Sequence, residues 1–411
     1  MTVLTVYNHG TGGSSTKGYD KLEIVNCFGN MHASGDPGGR YKTWLITEGV
    51  GSKLDPANVG RLEFDMASGT LRPKKGSFKL PGTGALRGLL HSALGEGVQE
   101  NVANLMAVLQ YLKAADAVPT AINMIGWSRG AVTCIRQAYE IWRDTTLGLA
   151  GVPINIFAVD PVAGASADLE RQGSVLYPNV RNYVSVLACG ERRRAFYPKT
   201  QESLLVADAS RTRTAFVHFP GIHSDVAKIS GEPGIVVFDM CARFLGHCGT
   251  DVPAHDSFKS QPTRLLQCYF NMALGAKRIG TRLLSNDKAK QTAGWTDKSK
   301  GIGNVVKGGG AFKERNLNVE QVSGDGAFIN VHHEALFERH FPDLYDLCFR
   351  SNLPPFEWQQ AFSSPGHQPA LRRLELYSPG VTALLGRANR TVTRADEQAW
   401  KGVLYGCNLV P

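Results

Sequence analysis

The length, composition and charge of this sequence are those of an ordinary globular protein. It has 411 residues, of which 43% are hydrophobic and 20% charged, close to the averages for folded proteins. No run of about 18 consecutive apolar residues occurs, so a transmembrane helix is excluded. The first residues lack the basic and apolar regions of a secretory signal, and we expect synthesis in the cytoplasm without a signal peptide.

The balance of charge favours an acidic partner. Lys and Arg number 45 against 36 Asp and Glu, which gives a formal net charge of +9 and favours a nucleic acid or an anionic lipid surface. The sequence has no zinc-finger spacing, RNP-like strand or basic helix-turn-helix, and we expect no nucleic-acid partner. It also has no GxGxxG or Walker-type phosphate loop and no HExxH pattern, so neither a cofactor nor a metal is expected.

Apolar runs alternate with amphipathic stretches through the first half of the chain. This pattern predicts an α/β fold with a mostly parallel central sheet and helices on both faces. Between residues 96 and 116 an apolar residue recurs every three or four positions, which predicts a helix packed on the sheet. A second such helix is predicted at 129–142. The apolar runs predict strands at 4–7, 122–125, 154–159, 183–188 and 215–219.

The pattern changes near residue 250, after which convincing strands become rare. A basic, glycine-rich segment at about 285–315 is expected to be flexible. We therefore divide the chain into an α/β core at 1–250 and a mainly helical C-terminal region at 251–411. Helical stretches in the second region are predicted at 262–284, 333–349 and 368–386.

The pentapeptide GWSRG at residues 126–130 follows one predicted strand and precedes a predicted helix. A GxSxG sequence in that context is a nucleophile elbow, the sharp turn that exposes the reactive serine of an α/β-hydrolase. Gly126 and Gly130 are expected there because backbone segments approach closely around the turn. The sequence therefore predicts Ser128 as a nucleophile, the α/β core as the catalytic core of an α/β-hydrolase, and the C-terminal region as its cap or lid.

A serine hydroxyl needs a general base, and the base needs an orienting acid. His223 lies on a loop that follows a predicted strand and comes after Ser128 in the chain, so we take it as the base. Asp160 and Glu191 each follow a predicted strand, and Asp225 is two residues from the histidine. We favour Asp160 as the acid because it ends the strand next in sequence after the nucleophile. Glu191 remains the alternative acid, and Asp225 is expected to brace the histidine loop.

The oxyanion hole is expected to consist of backbone N–H groups. In α/β-hydrolases one comes from the residue after the nucleophile, here Arg129, and one from a loop early in the chain. The glycine-rich loop at residues 8–13 follows the first predicted strand. We take Thr11 in this loop as the second donor, because neighbouring glycines permit close approach of the backbone.

Several ordered segments resemble those of one family. They are HGTG at 9–12, GVGS at 49–52, GWSRGA at 126–131, DPV at 160–162, ERRRAF at 191–196 and FPGIHSDV at 219–226. Together they resemble the first of the bacterial type VI lipase-effector families, α/β-hydrolase phospholipases with a GFSRGA-like elbow. At the matching positions the resemblance implies Ser128, Asp160 and His223 as nucleophile, acid and base. The chain departs from the family pattern at His9, where an Asp is usual, and at Trp127, where a Phe is usual.

The resemblance implies a serine esterase that hydrolyses acyl ester bonds of phospholipids at a membrane surface. It also implies an antibacterial effector that is made in the bacterial cytoplasm and delivered into target cells by the type VI route. A secretion-apparatus component and a cognate immunity protein would then be partners. Two other functions stay open from the residues alone. One is a cytoplasmic carboxylesterase or thioesterase acting on soluble esters, and the other is a catalytically idle α/β-hydrolase that serves as a protein-binding module.

Overall fold

The fold is taken from a computed structural model of the chain, in which a six-stranded sheet is covered by helices. The described residues are 3–13, 23–34, 41–50, 62–65, 70–73, 97–164, 173–188, 191, 196–201, 203–219, 221–251 and 268. The strands are β1 (Val3–Asn8), β2 (Trp44–Thr47), β3 (Leu62–Asp65), β4 (Thr70–Pro73), β5 (Ala121–Trp127), β6 (Ile154–Val159), β7 (Val175–Leu176), β8 (Val180–Ala188), β9 (Leu205–Val206) and β10 (Arg213–Phe219). The helices are α1 (Ile24–Ser34), α2 (Val98–Ala114), α3 (Arg129–Arg143) and α4 (Glu232–His247).

The central sheet has the order β10-β8-β6-β5-β1-β2, and each neighbouring pair is parallel. The five strands predicted from apolar runs all lie within strands of this sheet, so these predictions and the α/β class are confirmed. Two small sheets stand apart from it. β3 and β4 form an antiparallel pair, and β7 and β9 form a short parallel pair.

Helices cover both faces of the sheet because its strands are apolar on both sides. On one face, residues such as Tyr7, Ile125 and Phe157 form a buried cluster with side chains of α1 and α4. On the other face, the alternate residues, such as Val6 and Met124, form a second cluster with α2 and α3. The apolar positions of α2 that the spacing predicted are all buried, namely Val98, Val102, Leu105, Leu109 and Leu112.

The topology directs several loops to one edge of the sheet. All six strands are parallel, so their carboxyl ends lie together, and the loops after β1, β5, β6 and β10 leave from that edge. β1 has its successor β2 on one side and β5 on the other. Such a reversal of strand order opens a crevice at the carboxyl ends, the usual ligand site of an open α/β sheet. Ser128 and the loop at residues 8–13 border that crevice.

Most of the predicted C-terminal region lies outside the described residues. Beyond residue 250 only Asp251 and Cys268 are described. The predicted cap or lid at 251–411 and the basic segment at about 285–315 therefore remain predictions. Among the described helices, none is both long and apolar enough to cross a membrane.

Candidate active site

Ser128 occupies the turn between β5 and α3, as the elbow motif predicts. Its backbone has φ 56° and ψ −123°, which a non-glycine residue rarely adopts and which costs on the order of 1–3 kcal/mol. Backbone hydrogen bonds hold it there. The Ser128 N–H donates to the carbonyl of Val159 at 2.9 Å, and the Ser128 carbonyl accepts from the N–H groups of Ala131 at 3.1 Å and Val162 at 3.2 Å. The strained serine is thus fixed by both β6 and the start of its own helix.

The two elbow glycines make room for different neighbours. A Cβ on Gly126 would lie 2.5 Å from the carbonyl oxygen of Gly130, so this glycine lets the strand and the following helix approach. A Cβ on Gly130 would lie 2.6 Å from the carbonyl oxygen of His9 and would also meet that of Asn8. Gly130 is therefore needed for contact between the elbow and the end of β1. Side chains at either position would push apart segments that border the crevice.

His223 and Asp160 are in direct contact. His223 Nδ1 lies 2.5 Å from Asp160 Oδ2, and both side chains are buried, with relative exposures of 4% and 0%. The other carboxylate oxygen of Asp160 accepts the N–H of Ala188 at 2.9 Å. This arrangement assigns the proton on Nδ1 to the bond with Asp160, which leaves Nε2 to accept a proton. A buried carboxylate that orients an imidazole in this way has the geometry of the acid–base pair in a catalytic triad.

The other two candidate carboxylates contact the backbone of the histidine loop and not the ring. Glu191 Oε2 accepts the backbone N–H of His223 at 3.2 Å. Asp225 Oδ2 accepts the backbone N–H of Ile222 at 3.1 Å, so Asp225 braces the loop as expected. Of the three carboxylates, Asp160 is the one placed to orient the imidazole, and Glu191 is placed to hold the main chain.

Two aromatic side chains enclose the imidazole of His223. The ring of Trp127 lies 5.3 Å from it between centroids and is tilted by 35°. The ring of Phe196 lies 4.8 Å away in an edge-on arrangement. Trp127 Nε1 also donates a hydrogen bond of 3.2 Å to the carbonyl oxygen of His223. No sequence signal pointed to this bond, because its two residues are 96 positions apart.

No hydrogen bond joins the hydroxyl of Ser128 to the ring of His223, although both residues are in the described part of the chain. Catalytic hydrogen bonds of this kind often tighten only in the reacting complex. The structure therefore brings His223 and Asp160 into contact and places Ser128 at the end of β5, beside β6, which Asp160 follows.

The loop after β1 lies against the elbow. A Cβ on Gly10 would be 2.7 Å from Cε3 of the Trp127 ring, so only glycine allows the loop this close. The backbone N–H groups of Gly12 and Gly13 donate to the carbonyls of Val50 and Gly10. That of Thr11 has no acceptor among the described residues. Thr11 is therefore a donor on the loop that borders the crevice, as an oxyanion-hole residue requires.

A second buried histidine–carboxylate pair stands beside this loop. His9 Nδ1 lies 2.7 Å from Glu23 Oε2, with both side chains at 1% exposure or less. Glu23 forms an isolated bridge with Lys228, and the N–H of the next residue, Ile24, donates to the carbonyl of Ala227 at 2.9 Å. This pair connects the loop after β1 to the histidine loop. Its one sign in the sequence is the unusual histidine at position 9 in a glycine-rich loop.

Metal ligation has no support in the described part of the chain, which contains no group of three or more His, Cys, Asp or Glu side chains able to hold an ion. The chemistry that the described side chains offer is nucleophilic and acid–base chemistry.

Comparisons with known proteins identify no family for this chain. No protein-family model matches the chain, and no curated protein matches it. One similar solved structure is that of an uncharacterized protein from Pseudomonas aeruginosa, with 13% sequence identity and a TM-score of 0.40. The match covers 98% of this chain and 62% of that chain, so the chain spans less than two thirds of that protein's length. Values this low support no conclusion on function.

Proposed function

We propose that the protein is a serine hydrolase of the α/β-hydrolase fold that cleaves acyl ester bonds. The observation that carries the proposal is the buried pair of His223 and Asp160 at the sheet edge where Ser128 is held in a strained turn. Strain of this kind in a non-glycine residue is typical of catalytic sites. The parallel sheet and the elbow between β5 and α3 also support this fold assignment.

The proposed reaction uses each of these groups in turn. The Oγ of Ser128 attacks the carbonyl carbon of the ester while Nε2 of His223 takes the hydroxyl proton. The N–H groups of Arg129 and Thr11 stabilise the oxyanion of the tetrahedral intermediate. Collapse breaks the bond to the alcohol oxygen, which receives the proton from His223, and leaves an acyl-enzyme. Water then attacks the acyl-enzyme with His223 as base, which releases the acid and restores Ser128.

Asp160 acts on the imidazole throughout this cycle. Its carboxylate keeps the proton of His223 on Nδ1 and stabilises the imidazolium that forms when Nε2 is protonated. Its complete burial and its second hydrogen bond to the N–H of Ala188 hold it in one orientation. An acid held this rigidly loses little free energy to reorganisation during the reaction.

The substrate class that we propose is phospholipid. The support is the resemblance of the six sequence segments to the type VI lipase effectors, together with a net charge of +9 that favours an anionic membrane surface. From the same resemblance we include in the proposal delivery by the type VI route, a cognate immunity protein and a cap formed by the region 251–411.

The experiment measures ester hydrolysis on two kinds of substrate. Purified full-length protein is given vesicles of phosphatidylethanolamine and phosphatidylglycerol, and in parallel a soluble p-nitrophenyl butyrate solution. We expect fatty-acid release from the vesicles that Ser128→Ala abolishes. Ser210→Ala is the matched control, because among the described residues this exposed hydroxyl donates to Asp208, its near neighbour in the sequence.

The other outcomes distinguish the remaining functions. Hydrolysis of the soluble ester without release from vesicles would replace the phospholipase with an esterase of soluble substrates. Hydrolysis of neither substrate would favour the binding module and overturn the proposed enzyme. Release from vesicles that survives Ser128→Ala would show that the mechanism is wrong.

A further inference from the structure

The indole of Trp127 links three of the segments on which the proposed reaction depends. Trp127 is the last residue of β5 and directly precedes Ser128 in the chain. Its Nε1–H donates to the carbonyl oxygen of His223. Its ring fills the space that a side chain on Gly10 would need. One partly buried side chain therefore connects the elbow, the histidine loop and the loop after β1.

We propose that Trp127 is a positioning residue that sets the base His223 relative to the nucleophile Ser128. This inference rests on the proposed function of the site. Trp127 does not take part in bond making. It acts through the main chain of His223, which it fixes by the indole N–H.

His223 is held at its ring and at its main chain. Asp160 holds the ring, and Glu191 accepts the backbone N–H. These two anchors follow β6 and β8. The hydrogen bond to the carbonyl oxygen of His223 comes from Trp127, the last residue of β5, which directly precedes Ser128.

A base must lie within hydrogen-bond reach of the proton that it takes. The anchors that follow β6 and β8 hold the ring and the backbone N–H of His223. Hydrogen bonds of Ser128 to Val159 and Val162 join the elbow to the segment of Asp160. The bond from Trp127 adds a direct link between the main chain of His223 and the residue that precedes Ser128, and it holds the carbonyl oxygen that the other two anchors do not contact. Loss of this bond is expected to let the histidine loop shift away from the serine while Asp160 still orients the imidazole.

The tryptophan at position 127 has a physical consequence, because the family that the sequence resembles usually has a phenylalanine there. A phenylalanine there would keep an aromatic ring against Gly10 and His223 but has no N–H to donate. The bond between Trp127 and His223 is therefore a property of the tryptophan, and not of any aromatic side chain at the elbow.

The test replaces the indole N–H without changing the shape of the ring. Trp127 is exchanged for 3-benzothienylalanine, in which sulfur replaces the N–H, and separately for phenylalanine (Trp127→Phe). Trp142→Phe is the matched control, because Trp142 lies on α3, is 37% exposed and stacks on Tyr177 away from His223. The readouts are the second-order rate of Ser128 labelling by a fluorophosphonate, kcat and KM for a soluble ester, and the melting temperature.

We expect both Trp127 variants to label Ser128 about tenfold more slowly than the wild type, because a small displacement of the base is costly in rate. The decrease should fall on kcat and leave KM unchanged, and the melting temperature of the benzothienyl variant should equal that of the wild type. Trp142→Phe should label at the wild-type rate.

Three results would overturn the inference, each in a distinguishable way. A benzothienyl variant that labels at the wild-type rate would show that the N–H does not position His223, with the proposed function intact. A wild-type protein that does not label at Ser128 would overturn the proposed function, and the inference with it. A rate that falls in parallel with the melting temperature in both variants would indicate a structural role alone.

Discussion

Backbone strain is concentrated at the residues of the proposed triad. Three non-glycine residues in the described part of the chain have positive φ: Ser128 at 56°, Asp160 at 41° and Asp116 at 52°. Two of the three follow neighbouring strands at the carboxyl edge of the sheet. Such conformations persist only where the surrounding hydrogen bonds impose them, and both residues have these bonds. The strain therefore lies in two neighbouring turns of the carboxyl edge, those of the proposed nucleophile and acid.

Asp160→Asn tests the role of the acid. Asparagine tolerates positive φ and keeps the size of the side chain, but it favours the wrong tautomer of His223. We expect ester hydrolysis to fall by about 10³- to 10⁴-fold, the effect of the equivalent change in a serine protease. Hydrolysis is measured at saturating substrate near neutral pH.

Glu191→Gln is the matched control for Asp160→Asn. A glutamine oxygen still accepts the backbone N–H of His223, so the loop keeps its anchor. We expect activity within about tenfold of the wild type. A larger loss in Glu191→Gln than in Asp160→Asn would reverse the assignment of the acid.

Residue-level prediction from sequence has a clear limit at this site. The serine and the histidine follow from motif and chain order, because the elbow needs glycines and the base needs a strand end. Asp160 and Glu191 both follow a buried strand, and spacing alone does not separate them. They differ in what they contact, the imidazole ring or the main chain of His223, and that depends on tertiary packing.

The elbow and the loop after β1 form one packed element. Gly130 meets the carbonyl oxygens of Asn8 and His9, and Gly10 meets Trp127. A side chain at either glycine would separate the proposed nucleophile from the predicted oxyanion donors. Close backbone contact at the switch point of the sheet is thus a requirement of the site as well as of the fold.

Gly130→Ala tests this contact. The added methyl group would overlap the backbone at the end of β1, which cannot move without breaking the sheet. We expect a loss of about 2–4 kcal/mol in the free energy of unfolding, the range for overpacking a rigid site. Denaturant titration measures it.

Gly246→Ala is the control in a helix, because Gly246 lies in α4 and a Cβ there meets nothing within 4 Å. Alanine favours the helix, so stability should stay the same or rise by about 0.5–1 kcal/mol. Equal losses in the two variants would contradict the packing argument.

Secondary-structure elements differ in how well the sequence predicts them. Buried central strands are continuous apolar runs, and all five predicted ones are present. β2 has four residues and α1 follows a glycine-rich stretch, and neither was predicted. The helix α4 was not predicted either. Its first turn, which begins at Glu232, contains Pro and Gly, and these residues are typical of loops. Such elements are stabilised mainly by packing on the sheet and not by local propensity.

At the scale of the whole molecule, the burial of one histidine is a source of acid sensitivity. Burial lowers the pKa of His218, on β10, from 6.5 to about 4. The unfolded chain therefore binds a proton between pH 6.5 and 4 that the folded protein does not. The contribution of His218 to the free energy of unfolding is fully present above pH 6.5 and is lost as the pH falls from 6.5 to 4.

His218→Gln removes this titration. Between pH 7.5 and 5.0 the free energy of unfolding of the wild type should fall by about 2 kcal/mol more than that of the variant. Urea titrations at the two pH values measure the difference, and the absolute stability of the variant does not affect it. The same decrease in both proteins would show that His218 is accessible to protons in the folded state.

The net charge of +9 indicates a particular partner only when it is considered together with the proposed site. Charge alone favours any anionic partner, whereas for the proposed phospholipase the excess of positive charge favours an anionic lipid interface. The sequence predicted the sheet, the elbow and the histidine loop. It could not predict the bonds that join the elbow, the loop after β1 and the histidine loop, because these connect residues far apart in the chain.

The proposed activation of Ser128 as a nucleophile is tested most directly by reaction of the native full-length protein with a fluorophosphonate, followed by peptide mass spectrometry. We expect one adduct, on Ser128, that is absent after heat denaturation, in Ser128→Ala and, at equal reaction time, in His223→Ala. No adduct on the native protein, or an adduct on another serine, would contradict it.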